Sequence, residues 1–200
     1  MSKKVWFVGG KKDTKVKASN PSKMPGCHKK QKRITFHNEG VNRKCDGGAH
    51  VANLARYVRD KNIFYHFVYC PDCGHWAQIA PVDAAARSQV GGSVNSKCGN
   101  SANRHGKVNI QICFAGYGNK NLPNPKNWKG AKKFKKISKE WNIKPKAVNF
   151  NKVSRSYDQW NDKSIGWFMH GSGPRDDHHD IVGNNLDWKK FKKFVLEIED

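Results

Sequence analysis

The run Val108-Asn109-Ile110-Gln111-Ile112-Cys113-Phe114 constrains the fold more than any other stretch of the chain. Seven mostly apolar residues have the length of a strand rather than of a buried helix. Both faces of such a strand can be buried, which assigns it to the middle of a sheet with a layer on each side. Other segments supply the rest of that sheet. In Arg33-Ile34-Thr35-Phe36-His37, Ile34 and Phe36 share one face of a strand. Phe64 to Tyr69 and His75 to Ile79 flank Cys70-Pro71-Asp72-Cys73-Gly74 and predict a hairpin.

Helical spacing accounts for the covering layers. After the turn at Asp46-Gly47-Gly48, the residues Val51, Leu54, Ala55 and Val58 predict an amphipathic helix to about Arg59. Trp128, Phe134, Ile137 and Trp141, set among lysines, predict a second. Phe191, Phe194, Val195 and Ile198 predict a third, with Asp187 as its N-cap. The order strand, helix, hairpin, strand, helix, strand, helix therefore predicts an α/β domain, a central mixed β-sheet flanked by helices. Only 36% of the chain is apolar, yet seven Trp, ten Phe and five Tyr can close a core at low residue cost, which excludes wholesale disorder. Two hundred residues fit one such domain, or one with a small appendage, and leave little room for two separately folded halves.

No stretch reaches the roughly 20 apolar residues of a membrane span. The start, Met1 to Gly10, has too short an apolar run for a signal peptide, so synthesis in the cytoplasm without an export address is expected. Six cysteines (Cys27, Cys45, Cys70, Cys73, Cys98, Cys113) are too few for a disulfide scaffold, and free thiols or metal ligands are the expectation.

The net charge of +22 is unevenly spread. Residues 1–36 hold 11 basic and one acidic side chain, and residues 120–155 hold 12 and one. Residues 156–185 hold two basic and five acidic. Basic surfaces that attract a polyanion, separate from an acidic pocket, would give this distribution. Residues 1–31, rich in Gly, Lys, Ser, Asn and Pro beyond residue 8, are expected to form an extended basic arm ahead of a domain over 32–200.

Two histidines close apolar segments: His37 after Ile34-Thr35-Phe36, and His170 after Gly166-Trp167-Phe168-Met169. A single histidine there is ordinarily exposed or merely hydrogen-bonded. The loop Asp176-Asp177-His178-His179-Asp180 changes the weighing, because two imidazoles and one carboxylate leave a fourth zinc position open for water, the arrangement of a hydrolytic site.

These segments resemble, in family order, the zinc-dependent N-acetylmuramoyl-L-alanine amidases shared by phage endolysins and peptidoglycan recognition proteins. Ile34-Thr35-Phe36-His37 resembles the first-ligand strand, and Phe64-Tyr65-His66-Phe67-Val68 the strand after the first helix. Ala84-Ala85-Ala86-Arg87-Ser88, Asn103-Arg104 and Ile110-Gln111-Ile112 resemble the middle section of actinobacteriophage endolysins. Gly166 to His170, then Asp177-His178-His179-Asp180 and Leu186-Asp187-Trp188, resemble the second- and third-ligand segment. The resemblance runs from about Arg33 to Phe194.

The resemblance implies one catalytic zinc on His37, His170 and Asp180, with His178 and Tyr65 as catalytic residues. It implies cleavage of the amide between N-acetylmuramic acid and L-alanine by a zinc-activated water. Peptidoglycan would be the partner, with anionic wall polymers as a second attraction, and the enzyme would be a monomer acting on the wall after release from its host. The chain departs from the family pattern in two places: Cys113 stands where Glu is frequent, and Ile181-Val182-Gly183 replaces the usual Pro-Gly after the third ligand.

Cys70-Pro71-Asp72-Cys73-Gly74 also has the spacing of a zinc knuckle, with Cys98, Cys45, or Cys27 and His28 available to complete it. No second Cys-x-x-Cys exists and a hairpin turn needs no metal, so a second, structural zinc at Cys70 and Cys73 is not the expectation. Two other functions compete. A basic nucleic-acid binder would account for the charge and the aromatic residues but not for the His and Asp loop, and no specific nucleic-acid motif is present. A catalytically inactive peptidoglycan-binding protein would not need all three candidate ligands.

Overall fold

The computed structural model describes residues 13–18, 21, 24, 31–88, 103, 106–118, 121–148, 165–170 and 186–199. Their strands are β1 (Asp13–Lys15), β2 (Lys32–Asn38), β3 (Phe67–Tyr69), β4 (Trp76–Gln78), β5 (Val108–Phe114), β6 (Ala147–Val148) and β7 (Gly166–Met169). The helices are α1 (Ala49–Asp60), α2 (Lys132–Glu140) and α3 (Trp188–Phe191), the last continued by a wider π-type turn over Lys192–Leu196. The strands form one sheet in the order β1-β4-β3-β5-β2-β7-β6. Only β3 and β4 run antiparallel, as expected of the hairpin, and every other neighbouring pair is parallel.

The Val108–Phe114 run is the middle strand, and every one of its residues is buried. Its alternation sorts the two faces. Ile110, Ile112 and Phe114 join Ile34 and Phe36 of β2 and Trp167 and Met169 of β7 in one apolar layer. Phe134 and Ile137 of α2, Trp128, and Phe191, Val195 and Leu196 close over it. Phe36 is the hub, with ring centroids 5.0 Å from Phe114, 5.8 Å from Phe134, 5.5 Å from Trp167 and 5.8 Å from Phe191. These edge and tilted contacts are the favourable arrangements for aromatic pairs.

The opposite face carries Arg33, Thr35 and His37 of β2 beside Asn109, Gln111 and Cys113 of β5, all fully buried. Toward β3 and β4 this face turns apolar, and α1 covers it with Val51, Ala55 and Val58 against Val68 and Ala77. Gly48 caps α1 in a left-handed conformation at φ 103°, and the Asp46 carboxylate accepts from the His50 backbone N–H at 2.9 Å. Asp187 caps α3 as expected, accepting from Lys190 N–H at 3.0 Å.

Two elements lie outside what the pattern foresaw. Asp13–Lys15, within the segment expected to be an extended arm, adds to the sheet edge as β1, and Lys133 of α2 pairs with Asp13 at 3.0 Å. Ala147–Val148 adds the opposite edge as β6. Such short edges are held by backbone hydrogen bonds, which leave no periodicity in the sequence. No helix among the described residues is long and apolar enough to cross a membrane.

Because Phe134 sits fully buried among the rings of Phe36, Trp76, Trp128 and Phe191, Phe134→Ala should destabilise the fold by about 3–5 kcal/mol in urea unfolding. Tyr57→Ala, on the exposed side of α1, should stay within about 0.5 kcal/mol of the parent. Equal effects would show that the aromatic layer does not carry the core.

Candidate active site

His37 owes its position to β2. Phe36 pairs with Met169 of β7 in register, so the next residue on each strand, His37 and His170, stands at the same level. Strand alternation turns both away from the aromatic layer that holds Phe36 and Met169. Their ring centroids are 4.2 Å apart, with exposures of 0% and 2%. Tyr65, just ahead of β3, brings its ring centroid to 4.9 Å from that of His37. On the other side of β2, Cys113 is the register partner of His37 and is also fully buried. No carboxylate therefore occupies that register position.

β2, β3, β5 and β7 run parallel, and His37 and His170 lie at their C-terminal ends. That edge is where open α/β sheets generally bind ligands. His37, His170 and Tyr65, named together from the sequence, are thus neighbours. His178 and Asp180, the other two expected site residues, lie outside the described residues.

A polar network lies behind the site on the same face. Thr35 Oγ1 donates to Asn109 Oδ1 at 3.0 Å. Gln111 Nε2 donates to Asn103 Oδ1 at 2.8 Å, and Ser88 Oγ donates to Gln111 Oε1. His66 belongs to this support. Its Nδ1 accepts from the Gln111 backbone N–H at 2.9 Å, which makes Nε2 the protonated nitrogen that donates to Ala84 O at 2.8 Å. Burial lowers its pKa from 6.5 to about 4. His66 is therefore a neutral strut between β5 and the 80s loop, next in sequence to Tyr65.

The turn between β3 and β4 holds a second constellation. The Sγ atoms of Cys70 and Cys73 lie with that of Cys45, all within 4.8 Å of one another, a set able to coordinate a metal ion. Sequence reasoning named all three residues but took the turn as needing no metal. Cys45 is 25 residues from Cys70, and only the tertiary packing of the loop ahead of α1 against the turn brings it there. Burial pushes the Cys70 and Cys73 thiols up from their ordinary range. Two other candidates for completing the knuckle, Cys98 and the Cys27/His28 pair, lie outside the described residues.

No family model matches the chain, and no curated protein matches it in sequence. Solved structures match it in fold. The N-acetylmuramoyl-L-alanine amidase LysC from Clostridium intestinale URNW has a TM-score of 0.51 over 95% of this chain and 100% of its own, at 13% identity. A selenomethionine derivative of AmpD gives 0.51 over 95% and 96%, at 16% identity. The Staphylococcus aureus hydrolase AmiA, solved with its ligand, gives 0.50 over 86% and 75%, at 15% identity. The mixed sheet flanked by helices is thus an architecture that this chain shares with these three proteins.

The neutral state of His66 has a pH signature. In the unfolded chain it titrates near 6.5 and in the folded protein near 4, so between those values only the unfolded chain takes up the proton. Its contribution is complete above pH 6.5 and is lost as pH falls toward 4, roughly 3 kcal/mol in all. Urea midpoints should fall between pH 7 and pH 5 in the parent and less steeply in His66→Gln. Parallel slopes would remove His66 as the origin.

Proposed function

We propose that the chain is a zinc-dependent N-acetylmuramoyl-L-alanine amidase, a peptidoglycan hydrolase of the endolysin kind. It cleaves the amide between the muramic acid lactyl group and L-alanine. The observation that carries the reading is the buried pair His37 and His170, with ring centroids 4.2 Å apart at the C-terminal edge of parallel strands and Tyr65 beside them. The fold likeness to an amidase over 95% of this chain and the whole of the other supports it.

The donor set fits zinc. Two adjacent imidazoles supply borderline nitrogen ligands, and Asp180 adds the oxygen that completes a three-ligand hydrolytic site. Zinc held there supplies a water of lowered pKa and polarises the scissile carbonyl. His178 stabilises the developing oxyanion and protonates the leaving amine. Tyr65 donates its phenolic hydrogen to the tetrahedral intermediate, and its place beside His37 keeps that donor fixed before substrate arrives. The Thr35, Asn109 and Gln111 network and the His66 strut hold the strands on which these groups sit.

The charge serves capture of the wall. Lys132, Lys136 and Lys139 are exposed along α2, in the stretch 120–155 that holds 12 basic residues and one acidic. Lys133 and Lys135 are occupied with Asp13 and Glu197. Phosphates of anionic wall polymers are the natural counterpart of the exposed set. The protein is made in the host cytoplasm and meets this surface after release.

Mass spectrometry of digested peptidoglycan tests the bond: a stem peptide with a free L-alanine amino group is the expected product, and cleavage within the glycan or the peptide would exclude an amidase. His37→Ala should lose both the catalytic zinc and activity. His178→Ala should keep that zinc and lose on the order of 100-fold in turnover, with a smaller loss in Tyr65→Phe. A His178→Ala protein lacking that zinc would make His178 a ligand instead.

Salt separates capture from chemistry. Wall binding and lysis should fall as ionic strength rises, while cleavage of a small soluble muramoyl-peptide changes little. Lys132→Glu, Lys136→Glu and Lys139→Glu together should reproduce the high-salt behaviour. Equal salt sensitivity on both substrates would reject capture by charge.

A further inference from the structure

We propose that Cys45, Cys70 and Cys73 are three ligands of a structural zinc ion, separate from the histidine site. The observations are geometric. The three Sγ atoms lie within 4.8 Å of one another, and sulfurs around a tetrahedral zinc with Zn–S of about 2.3 Å stand roughly 3.8 Å apart. Three sulfurs in one cluster cannot pair off as disulfides, and a purely thiolate set selects a soft or borderline ion over magnesium or calcium. One further donor completes the tetrahedron.

The turn is fixed from outside. Lys129 N–H donates to Pro71 O at 2.9 Å, and Tyr117 Oη donates to Asp72 Oδ2 at 2.7 Å. Gly74 lies so close to the Lys129–Gly130 segment that a Cβ on Gly74 would strike Lys129 and one on Gly130 would strike Gly74 O. Cys45 is held by its neighbour Asp46, whose carboxylate caps α1. These outer contacts orient ligands, as the surroundings of metal sites generally do.

The ion would tie the loop ahead of α1 to the β3–β4 turn. That loop follows β2 directly, so the tie fixes the chain that leaves His37. Its role would be structural: once a fourth donor closes the shell, no position is left for substrate.

The test reads metal on the whole protein and does not depend on catalysis. Cobalt-substituted parent protein should show intense sulfur-to-cobalt charge-transfer absorption. His37→Ala should keep that absorption, and Cys70→Ser/Cys73→Ser should lose it. Titration of the zinc-loaded parent with an organomercurial should release one equivalent of zinc as the cluster thiols react, a measurement that needs no variant to fold. Absence of the absorption in the parent, or complete thiol reaction without zinc release, overturns the proposal and leaves the histidine site untouched. If His37→Ala instead holds as much zinc as the parent, the amidase assignment fails while the cysteine site stands.

Discussion

The parallel pairing of β2 with β5 in one particular register is the constraint on which the rest depends. Ile34 stands against Ile110 and Phe36 against Ile112, and this aligns four large apolar side chains into a surface for α2 and α3. The same register necessarily gathers Thr35 with Gln111 and His37 with Cys113 on the reverse. A slip by one residue would turn the aromatic layer to the polar side and take His37 away from the sheet face it shares with His170. Core packing and site assembly are therefore two consequences of a single choice of pairing.

The reverse face has its own physical cost. Arg33, Thr35, Asn109 and Gln111 are completely buried, and burying such groups is costly unless each finds partners. The network meets part of that need: Gln31 accepts from Arg33 Nη2 at 2.7 Å, Thr35 donates to Asn109, and Gln111 bonds Ser88 and Asn103. Burial also lowers the Arg33 guanidinium to about 9. An apolar strand would be simpler to bury, so the retained polar stripe is best understood as scaffolding for the histidine edge. In a hydrogen-bonded network each member fixes its neighbours' geometry, and the proposed zinc ligands would need that precision.

What the sequence made legible follows from how local each signal is. Val108–Phe114, the helices and the Asp187 cap rest on periodicity or capping chemistry within a few residues and are found, although Trp128 precedes α2 in extended backbone and Phe194 is exposed rather than on the buried face of the last helix. The nearness of Tyr65 to His37 was accessible only through the family resemblance, because it depends on chain segments 28 residues apart. β1 and β6 consist of two or three residues recruited by an existing edge, and no pattern marks them. Cys45 is the instructive case: the Cys-Pro-Asp-Cys-Gly turn was visible, but its third sulfur comes from a loop whose approach is set by α1 packing on β3 and β4. His178 and Asp180 lie beyond the described residues, so the sequence remains the basis for their roles.

The two-layer arrangement also separates charge from chemistry. α2 lies on the aromatic face through Phe134 and Ile137, whereas His37 and His170 point to the opposite face. The exposed Lys132, Lys136 and Lys139 are consequently on the far side of the sheet from the histidines. A layer of packed structure is about 10 Å thick, while charges in solution are screened within about 8 Å at physiological ionic strength. Under the proposed function the lysines would act on the encounter with an anionic polymer and hardly at all on the field at the histidine edge. Affinity for the surface and reactivity at the bond can then change independently, one through exposed side chains on α2 and the other through the buried register of β2, β5 and β7.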